Sequence, residues 1–209
     1  MTSASFATDK ATAKYYDRRA GEYDDWYLGN GLFAERDRPG WEAEVDQVVG
    51  AIRSLPAART LDVACGTAFL TRHLEGMVIG LDQSPAMLAV AASRLPGKRV
   101  VLGDALHLPV AGTGFERVLS GHFYGHLPPP EREMFLSEVR RVASELVVVD
   151  SASRPGVDAE QLQERVLNDG SRHMVHKRYL SAEQLAAEIG GQSLFDGTWF
   201  VVARATWAV

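Results

Sequence analysis

Residues 61–70 decide the fold class of this chain, and they read Leu61-Asp62-Val63-Ala64-Cys65-Gly66-Thr67-Ala68-Phe69-Leu70. An apolar run typical of a buried strand leads into a turn of small residues and then into a predicted helix over 67–74. Small side chains in such a turn let a ligand touch the backbone, and the N-terminus of the following helix offers free N–H donors to an anionic group. Close packing of a helix on a strand is the alternative explanation.

A second acidic residue favours the ligand over simple packing. Asp82 follows Asp62 by twenty residues and ends the next apolar run. A carboxylate at the tip of the second strand of such a unit can accept both hydroxyls of a ribose. The two features together predict a nucleoside-bearing cofactor across the carboxyl ends of the first strands.

The rest of the chain predicts an α/β fold. Five β-branched runs are nearly continuous in apolar residues, which is typical of parallel strands buried on both faces. They cover 60–64, 77–82, 99–103, 115–120 and 146–150. Helices are predicted between them at 67–74, 85–95 and 131–142. This alternation indicates a Rossmann-like sheet with helices on both faces.

The flanking regions predict a cover and a reversed sheet edge. Helices are expected at 10–26 and 41–55, and after Asp150 a helix at 157–167, a polar strand and a helix from Ser181. Asp196-Gly197 predicts a terminal hairpin. We therefore expect one domain over 1–209, with an N-terminal helical cover (1–57), a cofactor-binding core (58–150), a substrate-side insertion (151–180) and a last helix with a β-hairpin (181–209).

Composition and charge exclude several classes of protein. The chain has 209 residues, 46% apolar and 23% charged, and a net charge of −5 that repels polyanions. Its single cysteine, Cys65, cannot form an intramolecular disulfide. Residues 1–16 show no secretion signal, and no apolar run approaches the roughly 20 residues that span a bilayer. We expect a cytoplasmic protein without nucleic-acid or membrane partners.

The spacing of small residues discriminates between cofactors. A dinucleotide fingerprint needs G-x-G-x-x-G, but the corresponding positions hold Ala64, Gly66 and Phe69. Asp62 within the turn would repel a pyrophosphate, whereas it could hold an ammonium group directly or through water. A nicotinamide-dependent oxidoreductase is therefore disfavoured, and a cofactor with an amino-acid end is favoured.

At these residues the sequence resembles the class I S-adenosylmethionine-dependent methyltransferases, whose first motif reads acid-x-Gly-x-Gly-x-Gly. Residues 81–88 and 103–109 resemble the second and third motifs of that family. The resemblance implies a seven-stranded sheet in the order 3-2-1-4-5-7-6 with the last strand antiparallel, and S-adenosylmethionine as cofactor. It implies that the cofactor is bound by Tyr16, Arg19, Asp62, Ala64, Gly66, Asp82, Gln83, Met87, Asp104, Ala105, Leu106 and Ser120.

The first helix also carries a family-like pattern. Tyr16, Arg19 and Tyr23 share one helix face. The segment resembles the lid helix of these methyltransferases, in which tyrosines close over the methionine moiety and an arginine pairs its carboxylate. Tyr23 would also contact the acceptor. An amphipathic helix docked by its aromatic residues is the alternative.

Two histidines follow the fourth strand and point to the acceptor site. By the crevice rule this strand end opens onto the cofactor. His122 is the candidate general base, and both His122 and His126 are candidates for binding the acceptor. Hydrogen-bonded structural histidines are the alternative.

A basic segment after residue 164 completes the candidate site. It resembles the substrate-side insertion of natural-product O-methyltransferases, some of which act on small anionic acceptors. That match implies acceptor-binding roles for Arg165 and Lys177. A solvated hairpin is the alternative. No histidine has the spacing of a metal ligand, so no metal is expected.

These observations predict methyl transfer from S-adenosylmethionine to a small metabolite, most simply to an acidic oxygen. An N-methyltransferase of a small amine and a non-catalytic nucleoside-cofactor-binding module remain as alternatives. The acceptor's identity stays open, and either a monomer or a homodimer is compatible with the sequence.

Overall fold

A seven-stranded sheet forms the centre of the computed structural model, which describes residues 10–95, 97 and 99–208. The strands are β1 (Thr60–Val63), β2 (Val78–Asp82), β3 (Arg99–Leu102), β4 (Arg117–Gly121), β5 (Glu145–Ser151), β6 (Glu160–Val166), β7 (Arg172–Arg178), β8 (Gln192–Asp196) and β9 (Phe200–Thr206). The helices are α1 (Lys10–Arg19), α2 (Asp25–Leu28), α3 (Trp41–Arg53), α4 (Pro85–Arg94), α5 (Pro129–Val142) and α6 (Ala182–Ile189).

The sheet order confirms the predicted topology. Its strands lie in the order β3-β2-β1-β4-β5-β9-β8, and β6 and β7 pair only with each other. The first five strands run parallel, while β9 is antiparallel to both of its neighbours. With the β6–β7 hairpin set aside, this is the order 3-2-1-4-5-7-6.

Both faces of the sheet are buried, as the continuous apolar runs predict. Every residue of β5 is buried. Leu146 and Val148 belong to one apolar cluster with residues of α5 and α6, whereas Val147 and Val149 belong to a second with residues of α3. Successive side chains of a strand point to opposite faces, so one strand supplies two cores.

The N-terminal cover differs from the single helix predicted at 10–26. The structure has α1 and the one-turn α2 instead, separated by a turn that contains Gly21. Glycine costs about 1 kcal/mol in a helix interior, and the Asp24 carboxylate between the helices binds Thr67 and Arg94. Residues 1–9 of the predicted 1–57 cover lie outside the described residues. The division of the chain into segments stays a prediction.

The helix predicted at 67–74 is wrong. Residues 64–70 form a turn, followed by a short 3-10 turn at Thr71–His73. Ala64 and Ala68, which stand where the family motif has glycine, have φ values of +59° and +63°. A left-handed φ at Ala68 is incompatible with a continuous α-helix, so the helix N-terminus expected as an anion donor is absent from this segment.

The helix predicted at 157–167 is also wrong, because this segment contains β6. Its side chains alternate, with Gln161, Gln163 and Arg165 half-buried and their neighbours exposed. Such a period of two identifies a strand that covers a surface on one side. The polar strand expected next is β7, which pairs with β6 in antiparallel register.

Two local predictions are confirmed near the C-terminus. Ser181 caps α6 in a complete capping box with Gln184, and α6 ends at Gly190 in a left-handed conformation. Asp196-Gly197 connects β8 to β9. No helix in the described part of the chain is both long and apolar enough to cross a membrane.

Candidate active site

A cavity opens at the carboxyl ends of β1, β2 and β4, where the sequence predicts the cofactor. We call it the cofactor cavity. The predicted site residues that line it are Tyr16, Tyr23, Ala64, Gly66, Asp82, Gln83, Met87, Ala105 and His122. It is also lined by four residues that the sequence did not single out, Leu81, Gly103, Gly121 and Phe123.

Five other predicted cofactor residues, Arg19 among them, do not line this cavity. Asp104 accepts a hydrogen bond from the Leu106 amide at 2.8 Å and contacts His107 at 3.0 Å, within its own turn. Leu106 and Ser120 are buried. Asp62 borders a smaller adjoining cavity together with Tyr23.

Asp82 is fixed by the backbone of two turns. The Gly66 amide donates to its Oδ2 and the Ser84 amide to its Oδ1, each at 2.9 Å. Burial raises the pKa of Asp82, and the amide donors oppose that shift. A carboxylate accepts about four hydrogen bonds, so each oxygen retains capacity for a ligand hydroxyl.

The turn at Gly66 leaves room for a close ligand approach. Gly66 has a φ of +54°, and a Cβ at this position would lie 3.6 Å from the Tyr23 ring. A larger side chain would therefore meet the Tyr23 ring, which lies in the turn between α1 and α2. A backbone turn with a carboxylate beside it fits a nucleoside with a polar amino-acid end.

The cover is attached to the core by hydrogen bonds on the far side of the cofactor cavity. Ser84 donates from its hydroxyl to Asp17 of α1 at 2.6 Å. The Arg19 guanidinium lies 4.7 Å from the centre of the Tyr23 ring and donates to the Tyr15 hydroxyl at 2.8 Å. No carboxylate of the described residues forms an ion pair with Arg19, so its charge is available to a ligand.

Asp62 is almost completely buried and accepts a hydrogen bond from the Thr71 hydroxyl at 2.5 Å. Burial raises the pKa of Asp62 to about 7, the Thr71 bond opposes this shift and the nearby Asp82 charge adds to it. The folded apo protein therefore keeps a proton here that an unfolded chain has already lost. The contribution of Asp62 to the free energy of unfolding therefore declines as the pH rises toward 7.

This titration predicts a pH dependence of cofactor binding. If Asp62 holds the ammonium group as a carboxylate, affinity for S-adenosylhomocysteine should increase as the pH rises to about 7 and level off above it. The slope below that pH should approach about tenfold per unit. Calorimetry over a range of about three pH units, from about pH 5.5 to about pH 8.5, measures it. An Asp62→Asn variant should lose the slope, and an unchanged slope in that variant would contradict the role.

A second cavity adjoins the first and is lined by predicted acceptor residues. We call it the inner acceptor cavity; it is lined by Tyr16, Arg19, Tyr23, Trp26, His122, His126, Ser151, Arg165 and Lys177. It shares Tyr16, Tyr23 and His122 with the cofactor cavity. These three side chains therefore lie between the two cavities.

The basic segment contains four cations, and the structure shows which of them pair with a carboxylate. They are Arg165, Arg172, Lys177 and Arg178. Arg172 pairs with Glu164, Arg178 with Glu188 and Lys177 with Asp150. Arg165 has no carboxylate partner among the described residues, and its buried Nε has no hydrogen-bond partner. Three of these four cations are therefore compensated, and Arg165 alone of the four carries a free charge in the described structure.

Lys177 is 3% exposed and its Nζ lies 2.5 Å from Asp150 Oδ1, which is fully buried. Burial opposes ionisation of Asp150, but the Lys177 charge outweighs it, and the pKa of Asp150 lies below its ordinary value. The Gly125 amide donates to the other carboxylate oxygen at 2.7 Å. Sequence reasoning missed Asp150 as this partner, although its place near the carboxyl end of β5 is a usable signal.

His122 faces both cavities in an apolar setting. Its ring centre lies 4.7 Å from that of Trp26, and neither ring nitrogen has a hydrogen-bond partner. Burial lowers the pKa of His122 to about 3, against the opposing effect of Asp150. The imidazole is therefore neutral at physiological pH and a weak base, which favours contact or hydrogen bonding over proton abstraction.

His126 lies deeper in the inner acceptor cavity. Its Nδ1 contacts the His176 carbonyl oxygen at 2.5 Å, which fixes the ring against β7. Burial lowers the pKa of His126 as well, with the Lys177 charge acting in the same direction. Across the described residues, no group of three or more His, Cys, Asp or Glu side chains is arranged to hold a metal ion.

Comparison with known proteins agrees with this geometry. The sequence profile of a methyltransferase domain matches residues 60–145. An uncharacterized methyltransferase of Alkaliphilus oremlandii is 26% identical over 179 residues, 83% of this chain and 79% of that protein. A demethylmenaquinone methyltransferase of Thermotoga maritima is 31% identical over 142 residues, 65% of this chain, which spans only 58% of that protein.

A solved structure shows the same fold over almost the whole chain. The complex of DhpI with SAM and HEP gives a TM-score of 0.75 at 23% identity and covers 98% of this chain and 99% of that one. The sheet order, the turn after β1 and the acid that ends β2 define an α/β enzyme that binds a nucleoside cofactor. A methyltransferase domain therefore lies within residues 60–145, and the chain is an S-adenosylmethionine-dependent methyltransferase with S-adenosylmethionine as its cofactor.

Proposed function

We propose that this enzyme transfers a methyl group to an acidic oxygen of a small metabolite. The observation that carries the proposal is Arg165, a largely buried guanidinium without a carboxylate partner at the boundary of the inner acceptor cavity. Arg19 lies in the wall of the same cavity and is also unpaired among the described residues. Two uncompensated positive charges in a protein of net charge −5 favour an anionic acceptor.

The cofactor roles follow from the walls of the cofactor cavity. Asp82 accepts the ribose hydroxyls, and Gln83 and Met87 lie beside the base. The turn from Ala64 to Gly66 receives the methionine end, with Asp62 near its ammonium group. Of the residues proposed for the adenine side, Ala105 borders the cavity, whereas Asp104, Leu106 and Ser120 do not line it.

The chemistry needs alignment more than acid–base help. The cofactor's sulfonium supplies an electrophilic methyl group, whose C–S bond breaks as the C–O bond forms while the electron pair stays on sulfur. Tyr16, Tyr23 and His122 lie between the two cavities, where they exclude water and align the acceptor oxygen. An oxygen that arrives as an anion needs no base, which agrees with the lowered pKa of His122.

Similar proteins support a small acceptor. DhpI is described with SAM and HEP together, and the Thermotoga maritima relative is named a demethylmenaquinone methyltransferase. We infer that the acceptor here is likewise a small molecule. Screening small acids, phenols and amines with isotopically labelled S-adenosylmethionine, followed by mass spectrometry of the products, tests this. Transfer only to neutral amines would overturn the proposal in favour of N-methylation, and cofactor binding without any transfer would favour a non-catalytic module.

An Arg165→Gln variant should raise KM much more than it lowers kcat. The guanidinium stabilises the anionic ground state, and the acceptor loses its charge as it is methylated, so the transition state gains nothing further from Arg165. A charge-assisted hydrogen bond is worth about 1.5–3 kcal/mol, a change in KM of roughly ten- to a hundredfold. Steady-state kinetics with the acceptor found in the screen gives both constants.

The matched control for this prediction is Arg172→Gln on the same hairpin. Arg172 is exposed and pairs with Glu164 outside the cavities, so this variant removes the same charge without touching the site. Its kinetic constants should equal those of the wild type. An unchanged KM in the Arg165→Gln enzyme would contradict the proposal that Arg165 binds an anionic acceptor.

A further inference from the structure

The inner acceptor cavity is small, with a volume of about 30 Å³. An acceptor that is larger than its reacting group can extend from it into a neighbouring space.

A neighbouring cavity of about 400 Å³ shares Trp26, Ser151 and Arg165 with the inner acceptor cavity. We call it the vestibule. A molecule whose reacting end contacts Arg165 from inside can extend past this side chain into the vestibule.

The vestibule is strongly basic. Besides Arg165 its wall holds Arg36, Arg38 and Arg154, and among the described lining residues only Asp37 supplies a carboxylate. None of these five side chains takes part in an ion pair within the described structure. Four guanidinium groups and a single carboxylate leave this cavity with an excess of positive charge, and an anion there would relieve the repulsion between the guanidinium groups.

Aromatic rings hold these arginines without using their charge. Arg154 lies 4.4 Å from the centre of the Trp199 ring, and Arg38 lies 3.9 Å from that of Trp41. Stacking on a ring fixes a guanidinium while leaving its N–H groups able to donate in the ring plane. Arg38 uses one donor on the Trp26 carbonyl at 2.9 Å, and the guanidinium groups of Arg36 and Arg154 form no hydrogen bond within the described residues.

We propose that the vestibule binds a second acidic group of the acceptor, so that the natural substrate carries two acid groups set apart along an extended molecule. One acid group is methylated at Arg165, and the other is held by Arg36 and Arg154 in the vestibule. This inference rests on the proposed anionic acceptor and adds the class of substrate, a bis-acid. It also gives a binding partner to the charges of Arg36 and Arg154, which neither the cofactor nor the reacting oxygen would contact.

The test compares mono-acids with bis-acids of matched length. Butyrate to octanoate and succinate to suberate, together with the corresponding alkyl mono- and bisphosphonates, are titrated calorimetrically into the full chain saturated with S-adenosylhomocysteine. At one chain length the bis-acid should bind at least about tenfold more tightly than its mono-acid. The advantage should decrease as salt is raised, because the vestibule is open to solvent.

Two double variants assign the effect to the vestibule. Arg36→Gln with Arg154→Gln should remove the advantage of the bis-acid and leave mono-acid binding unchanged. Arg140→Gln with Arg172→Gln removes the same charge from exposed positions elsewhere and should keep the advantage. Circular dichroism and the thermal midpoint show that each variant is folded.

The outcomes separate this inference from the proposed function. Equal binding of mono- and bis-acids, or an advantage that survives in Arg36→Gln with Arg154→Gln, overturns the bis-acid substrate while Arg165 still binds mono-acids. Simultaneous binding of inorganic phosphate and a mono-acid would show an independent anion site and also overturns it. Failure of every acid to bind, with Arg165→Gln without effect, overturns both proposals.

Discussion

A Lys177→Met variant should lose about 3–5 kcal/mol of unfolding free energy, the cost of leaving a buried carboxylate without its partner. Lys177 and Asp150 are 3% and 0% exposed, and their contact is direct. Methionine fills the space of the lysine stem but supplies no charge. Chemical denaturation at pH 8 or so, compared with the wild type, measures the loss.

The pH dependence of this loss identifies its cause. Lys177 holds the pKa of Asp150 below its ordinary value, so wild-type stability from this pair is present at neutral pH and is lost only as the pH falls through that lowered value. Without Lys177, burial raises the pKa of Asp150, and the variant regains stability in acid by taking up a proton. The difference in unfolding free energy between the wild type and Lys177→Met should therefore decrease as the pH is lowered from neutrality to about 5.

A double variant, Lys177→Met with Asp150→Asn, serves as the control. It removes both charges and leaves an amide oxygen that still accepts from the Gly125 amide. This variant should recover much of the lost stability. If Lys177→Met is as stable as the wild type, the ammonium group does not compensate Asp150, and Lys177 would again be a candidate for direct acceptor binding.

Asp82→Asn should weaken S-adenosylhomocysteine binding by about 1.5–3 kcal/mol for each ribose hydroxyl whose charge-assisted bond is lost. For two such bonds the loss is roughly a hundredfold to ten-thousandfold in affinity. The asparagine has one acceptor oxygen, while both the Gly66 and Ser84 amides need an acceptor. The turn and the cofactor contact should therefore weaken together. Calorimetry at 25 °C or so gives the affinity, and thermal unfolding gives the effect on the fold.

The exposed Asp46 of α3 provides the matched control, since Asp46→Asn removes the same charge far from the carboxyl ends of the strands. It should leave cofactor affinity unchanged. An unaltered affinity in folded Asp82→Asn would show that Asp82 supports the two turns and does not bind the ribose. A lower thermal midpoint with unchanged cofactor affinity would lead to the same conclusion.

The backbone conformation of the turn at residues 64–68 shows what a sequence motif cannot predict. The sequence correctly identifies residues 64–68 as the turn below the cofactor, yet the predicted helix after it is replaced by a turn with positive φ at Ala64 and Ala68. Alanine rarely adopts this conformation. Tertiary contacts impose it, among them the bond from Thr71 to Asp62, and residue type alone does not reveal them.

The sequence by itself determined where the strands of the parallel part of the sheet lie, the position of the turn and the acid at Asp82. These features depend on hydrophobic periodicity and on short-range spacing, which a linear chain displays directly. The order of the seven strands followed from the resemblance to a known family. Only the tertiary structure decided which cations are free, because Lys177 and Arg178 meet Asp150 and Glu188 from other elements. It also brought Arg36 and Arg154 to Arg165. Charge compensation depends on distances in space, and residues far apart along the chain do not encode those distances in any local pattern.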